Sequence, residues 1–166
     1  MKMKLILQMA ALLAAGYWLQ AAGLPEPGVV FYGRVQNSGG GNELVTVGSV
    51  NWSIRPTGGE PISLSAPLAN INGSHSYRLR VPFETVVGGN TASTASFVLT
   101  GAATQYSTDV NNVSISSGGT NYPANVGVAF AVANFNSSVR GVVQELDLSI
   151  NAPGLVASSV IAGGSL

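Results

Sequence analysis

A chain of 166 residues and 16.9 kDa with seven basic and seven acidic side chains is only 8% charged, about a third of the roughly 25% usual in a soluble domain. That length holds one ordinary domain, or one domain plus a processed segment, and the zero net charge argues against a nucleic-acid surface, which needs clustered Lys and Arg. With 46% hydrophobic residues, 21 Gly and no Cys, the chain can build one core with many turns, and it lacks a disulfide framework, a thiolate zinc site and a Cys nucleophile.

Met1-Lys2-Met3-Lys4 is a short basic start, followed by the uncharged run Leu5 to Ala15 and then small residues before Leu24-Pro25-Glu26-Pro27-Gly28. This pattern predicts a helical signal peptide over 1–22, cleaved after Ala21 or Ala22. The run is shorter than the roughly 20 residues of a membrane span, and Tyr17-Trp18 has an interfacial character. The expected destination is secreted, extracellular or at the cell surface, with no membrane contact after cleavage. Removing 1–22 takes both lysines, so the mature chain has five Arg against seven acids, 5 − 7 = −2, and no Lys.

From Val29 onward the dominant signal is period-two alternation, which assigns each side chain a face. Val29, Phe31 and Val35 fall on one face and Val30, Tyr32 and Arg34 on the other. In Leu44 to Arg55 the apolar phase runs Val45, Val47, then changes parity at Gly48-Ser49 to Val50, Trp52, Ile54, which predicts a β-bulge. Ser76 to Phe83 turns Tyr77, Leu79, Val81 and Phe83 inward and Arg78 and Arg80 outward. Pro82 there predicts an edge or a strand end. Further strands are expected at Ser96 to Thr100, Gln105 to Thr108, Val113 to Ser116, Asn125 to Asn134 and Gly141 to Ile150. The Asn125 strand, bulky on one face and smooth on the other, is expected between two packed layers. The last one sets Leu146, Leu148 and Ile150 against Glu145, Asp147 and Ser149.

Gly39-Gly40-Gly41-Asn42, Pro56-Thr57-Gly58-Gly59, Gly88-Gly89-Asn90 and Ser117-Gly118-Gly119-Thr120-Asn121 separate these runs with turn chemistry. Roughly eight short strands in such a setting predict an all-β domain over 23–150, an antiparallel β-sandwich of Ig-like or transthyretin-like kind, with a closed barrel as the alternative. The uncharged, apolar stretch 151–166 is expected to be a last strand or a C-terminal tail left where a longer protein was cut.

Four segments carry a resemblance: Leu24 to Val35, Val50-Asn51-Trp52-Ser53-Ile54, Ser76 to Glu84, and Arg140 to Leu148. Together they resemble the N-terminal β-sandwich regions of uncharacterised secreted proteins of environmental bacteria, loosely similar to transthyretin-like or carboxypeptidase-regulatory-like modules. The resemblance implies a bacterial, non-catalytic extracellular module. In that family acidic calcium-binding repeats or a sorting tail often follow, and this sequence contains neither. The motifs are strand patterns, and they carry over no site residue.

A serine hydrolase needs a nucleophile, a base and a group that orients the base. His75, the single His, stands in Gly73-Ser74-His75-Ser76 without any Gly-x-Ser-x-Gly elbow, and it reads as a turn or strand-entry residue. One His and no Cys rule out the usual zinc sets. Asp109 with Asn111 and Asn112 supplies too little charge for calcium. Glu145 and Asp147 share a strand face, as solvated strands often arrange carboxylates, and Glu84 reads as a loop residue. No catalytic residue, cofactor or metal is expected, and the chain does not read as an enzyme.

Binding has more support. Tyr106 and Tyr122 lie in the polar stretches Thr104-Gln105-Tyr106-Ser107 and Thr120-Asn121-Tyr122-Pro123, the setting in which aromatic faces hold sugars, and they are the candidate ligand residues. Trp52, by parity with Val50 and Ile54, belongs to the core. The leading expectation is a non-catalytic secreted or cell-surface module with a structural or adhesive role. The alternatives are a carbohydrate-binding module, or an assembly subunit that pairs strands edge to edge. Polysaccharide or other surface proteins are the expected partners.

Overall fold

The computed structural model describes residues 23–56, 60–88, 92–98, 106–109, 112–126, 132–135 and 137–155, with Pro56, 106–109, 132–135 and Ser137 described by backbone alone. In chain order the strands are β1 (Leu24–Gly33), β2 (Val35–Asn37), β3 (Glu43–Leu44), β4 (Ser49–Pro56), β5 (Ile62–Pro67), β6 (Tyr77–Thr85) and β7 (Phe97–Val98). They continue as β8 (Tyr106–Asp109), β9 (Val113–Ser117), β10 (Thr120–Pro123), β11 (Asn125–Val126), β12 (Val132–Phe135), β13 (Val143–Glu145) and β14 (Leu148–Ile150). The chain is all-β, as its alternation predicts. Among the described residues the only helical pieces are single 3-10 turns, and no helix is long and apolar enough to cross a membrane. The expected signal segment 1–22 and the tail beyond Leu155 lie outside the described residues.

Three sheets form, ordered β13-β1-β6-β7, β10-β9-β4-β8-β12 with β5 added to β4, and β11-β14-β2-β3. Most pairings are antiparallel, but β1–β13, β2–β14 and β6–β7 are parallel, so the sheets are mixed rather than wholly antiparallel. The two parallel pairs of the chain ends share one register. Val30 faces Val143 and Val35 faces Leu148, a constant offset of 113 positions. The N-terminal and C-terminal ribbons therefore run side by side and pass together from the first sheet to the third.

Where they pass, the ladder changes hands. Leu146 N–H still donates to Tyr32 O (2.7 Å) and Leu148 N–H to Arg34 O (2.8 Å). Between them the Arg34 N–H donates to the Asp147 carboxylate (2.8 Å). The Leu146 carbonyl accepts from the buried Tyr77 hydroxyl at 2.6 Å. Gly33 permits this closeness, since a Cβ there would stand 2.2 Å from the Leu146 oxygen. Just beyond, the Asn37 side chain, fully buried, takes Ala152 N–H (2.9 Å) and donates to Ala152 O (2.8 Å), imitating one more peptide of the ladder.

The inward parity holds where strands are long. Tyr77, Leu79, Val81 and Phe83 are buried on β6, as are Val29, Phe31 and Val35, Leu146, Leu148 and Ile150, and Trp52. These side chains join one cluster fed by all three sheets, in which Phe31 of β1 meets Trp52 of β4 at 5.2 Å between ring centroids. Each such large side chain withdrawn from water contributes on the order of 1.5–3 kcal/mol.

Several expectations are corrected. The parity change at Gly48 marks a change of sheet: β3 and β4 belong to different sheets, Val47 is exposed, and Gly48, at φ +118, turns against the Ser116 carbonyl. The bulge is instead in β1, where Pro27 and Gly28 oppose the single Pro82 of β6. Neither proline has an N–H to give, so the ladder slips where it has least to lose. Pro82 is therefore not at a strand end but on the edge side of β6, just ahead of the short β7 pairing at Phe83 and Glu84. The segment expected as one strand from Asn125 to Asn134 has its ends in different sheets, β11 on β14 and β12 on β8. Glu84, expected in a loop, is a buried residue of β6 opposite Pro25. Strand β5 is an addition; its alternating Ile62, Leu64 and Ala66 pair along β4.

Two stability measurements follow from the junction. Gly33→Ala forces a Cβ onto the Leu146 carbonyl and should lower unfolding free energy by roughly 2–3 kcal/mol in a denaturant titration. Burial, reinforced by the negative charge of Asp147, pushes the Tyr77 hydroxyl far above its ordinary value near 10. Above pH 10 the folded state then holds a proton that the unfolded chain has released. Stability should fall there by about 1.4 kcal/mol per pH unit. Tyr77→Phe should cost about 1–2 kcal/mol at neutral pH and flatten that alkaline slope.

Candidate functional site

The first sheet turns one face to the core and the other to solvent. On the solvent face, register sets two rows across three strands. Glu145, Tyr32 and Arg78 form one, and Val143, Val30 and Arg80 form the next. The rows are roughly 7 Å apart by strand geometry. The turn before β6 closes over them: Ile71 pairs with His75, and Gly73 N–H donates to Asn70 Oδ1 at 2.7 Å. This holds His75 over Tyr32, ring centroids 5.1 Å apart and tilted by 34°, with its Nε2 3.7 Å from Glu145 Oε1.

A groove of about 280 Å³ results, lined by Val30, Tyr32, Ile71, His75, Arg78 and Val143, with Tyr77 at its base. Its floor is aliphatic and aromatic. Val143 is 64% exposed, the highest value among the large hydrophobic side chains of the described residues, and Ile71 at the rim is 37% exposed. Charge is graded across the face, with Glu145 on β13 and Arg78 and Arg80 on β6.

His75 is a turn residue, as its sequence context implies. Neither neighbouring serine is poised for chemistry. Ser76 is buried, its Oγ accepting from Val35 N–H at 3.1 Å, while its own N–H donates to Gly33 O. Ser74 Oγ reaches the Asn72 carbonyl at 3.4 Å. Glu145 and Asp147 are both partly exposed. Asp147 is engaged by Arg34, whose Nη2 lies 2.9 Å from Oδ2. Among the described residues no group of three or more His, Asp or Glu side chains could hold a metal ion. Residues 110–111 of the Asp109 loop lie outside the described residues.

Tyr106 and Tyr122 are not brought together. Tyr122, on the edge strand β10, is half-buried against the core and pairs with Ile115, which faces Val50. Tyr106 has its backbone opposite Pro56, and its side chain lies outside the described residues. Val50 and Pro56 are six residues apart on β4, which alone separates the two backbones by roughly 20 Å. The groove was missed in sequence because its members are far apart in the chain. The outward parity of Tyr32, Arg78 and Arg80 was the one local signal for it.

The role given to Ser76 has a direct check. Ser76→Ala leaves the buried Val35 N–H unmet and should cost about 1–3 kcal/mol in chemical unfolding, whereas Ser74→Ala should change stability by less than about 0.5 kcal/mol. No family model matches this chain, and no curated protein or solved structure matches it.

Proposed function

We propose that this chain is an exported, non-catalytic β-sandwich module that works by adhesion, holding a partner on the outer face of its first sheet. One observation carries the reading: a solvent-facing patch of Val143, Val30 and Tyr32 spanning two adjacent rows and edged by charge, on a domain whose surface is otherwise rich in Ser, Thr, Asn and Gly. Contiguous exposed apolar surface of this kind is what partner sites are made of. Two packed layers are supported by the Phe31–Trp52 contact between strands of different sheets and by the single core cluster. Support for a module without catalysis comes from the commitments of Ser76 and Asp147 to backbone and Arg34. Export is supported by the basic start and apolar run of residues 1–22, and a surface or extracellular location follows from it.

Carbohydrate binding through Tyr106 and Tyr122 is the second reading, favoured by their polar sequence settings. With their backbones so far apart, it calls for an extended polysaccharide. Edge pairing between subunits is a third, supported by the lysine-free strands.

Expressed whole in a bacterium, the protein should be recovered outside the cytoplasm with Ala22 or Gly23 as its first residue by N-terminal sequencing. The purified mature chain should leave a panel of chromogenic glycosides and esters unhydrolysed. Retention in the cytoplasm at full length, or turnover abolished by Glu145→Gln or His75→Ala, would overturn the proposal.

A further inference from the structure

The groove and its charges define a ligand more narrowly than adhesion does. Arg34 is answered by Asp147 and Arg140 by Glu26 (3.3 Å), and His75 sits beside Glu145. Arg78 and Arg80 are exposed, and among the described residues neither has an ion-pair partner. Two uncompensated guanidinium groups on one strand face, in a domain whose mature net charge is negative, make a local field for an anion. Beside them lie the aliphatic Val30 and Val143 of the floor, with Ile71 at the rim.

We propose that this face holds an extended acidic peptide segment of a partner protein, with an apolar side chain in the groove and carboxylates on Arg78 and Arg80. The inference rests on the reading of this face as a contact surface. Alternate side chains of an extended peptide project on one face about every 7 Å, the interval between Arg78 and Arg80 themselves. Guanidinium groups suit carboxylates, which they bind through paired N–H donors. Glu145, at the opposite end of the rows, repels acid and so orients the segment with its carboxylates toward β6. A peptide matches the lining better than a sugar does: apart from Tyr32 and the buried Tyr77 the floor is aliphatic, and His75 already covers part of the Tyr32 ring.

The test uses the chain from Gly23 to Leu166 and a fluorescein-labelled, end-capped octapeptide of alternating Asp and Leu, followed by fluorescence anisotropy. Saturable binding is expected at 50 mM salt, weakened tenfold or more at 500 mM, with a Lys-Leu octapeptide failing to bind. The Arg78→Gln/Arg80→Gln double variant should weaken binding at least tenfold, and Val143→Ser should weaken it at both salt concentrations. Arg55→Gln, a charge change in another sheet, should leave it unaltered. No binding of the Asp-Leu peptide, equal binding of the Lys-Leu peptide, or indifference to the double variant would each overturn the proposal. So would retention on polygalacturonate without peptide binding, which would make the face a glycan site. Self-association abolished by the double variant, again without peptide binding, would make it a contact between copies. In each of these outcomes an exported, hydrolytically inert protein would leave the adhesive reading standing.

Discussion

The fold hangs on a single carbonyl. At Leu146 the C-terminal ribbon leaves the first sheet for the third, and its peptide oxygen is taken by the buried Tyr77 hydroxyl. An unmet buried carbonyl costs on the order of 1–3 kcal/mol, so the passage between sheets needs a donor in this position. Tyr77 supplies it from the core side of β6, and the bare backbone of Gly33 lets the two approach. The neighbouring Arg34–Asp147 pair looks stronger than it is. Its side chains are 47% and 40% exposed, and surface pairs of that kind contribute about 0–1 kcal/mol. What Asp147 does with more consequence is accept the Arg34 N–H, filling a rung that no main-chain oxygen reaches.

That junction explains the otherwise odd use of Asn37. A short parallel ribbon makes few rungs, and parallel pairing is slightly weaker per residue than antiparallel. The Asn37 amide adds two further bonds to Ala152 beyond the last strand rung, and Ser38 Oγ adds one to Ile150 O at 2.9 Å. The two ribbons are therefore fastened to each other by side chains that extend the backbone ladder. Burying Asn37 without those partners would be costly, so the residue specifies the closure as well as strengthening it.

How much of this was legible depends on whether a feature is local. Parity along Tyr77, Leu79, Val81 and Phe83, or along Leu146, Leu148 and Ile150, survives because one side of each strand must be dry whatever pairs with it. The alternation Ile62-Ser63-Leu64-Ser65-Ala66 carries the same information for β5, but it is short and lies between two prolines, Pro61 and Pro67, and no strand is expected there. The parity change at Gly48 was visible, yet a bulge and a change of sheet leave the same trace in one dimension. Pairing is another matter. Nothing near Tyr32 announces Glu145 or His75, because offsets of 113 and 43 positions are set by topology. Glu84 reads as a loop residue, and nothing marks Asn37 at all, for the same reason: their burial comes from chain segments distant in sequence.

The outer face inherits this nonlocality. Its rows exist only when β13 lies alongside β1 and β6, with the turn at Asn70 to His75 folded over Tyr32. A surface assembled across the closure of the two chain ends is absent from any state in which that closure is open. By linkage, whatever binds the assembled face must stabilise the closure, by an amount set by ligand concentration relative to its dissociation constant. The carbonyl of Leu146 and the exposed Val143 of β13 are thus parts of one ribbon: the same C-terminal segment that completes the core also carries one side of the proposed contact surface. Interference at the junction would reach the face without touching a residue on it.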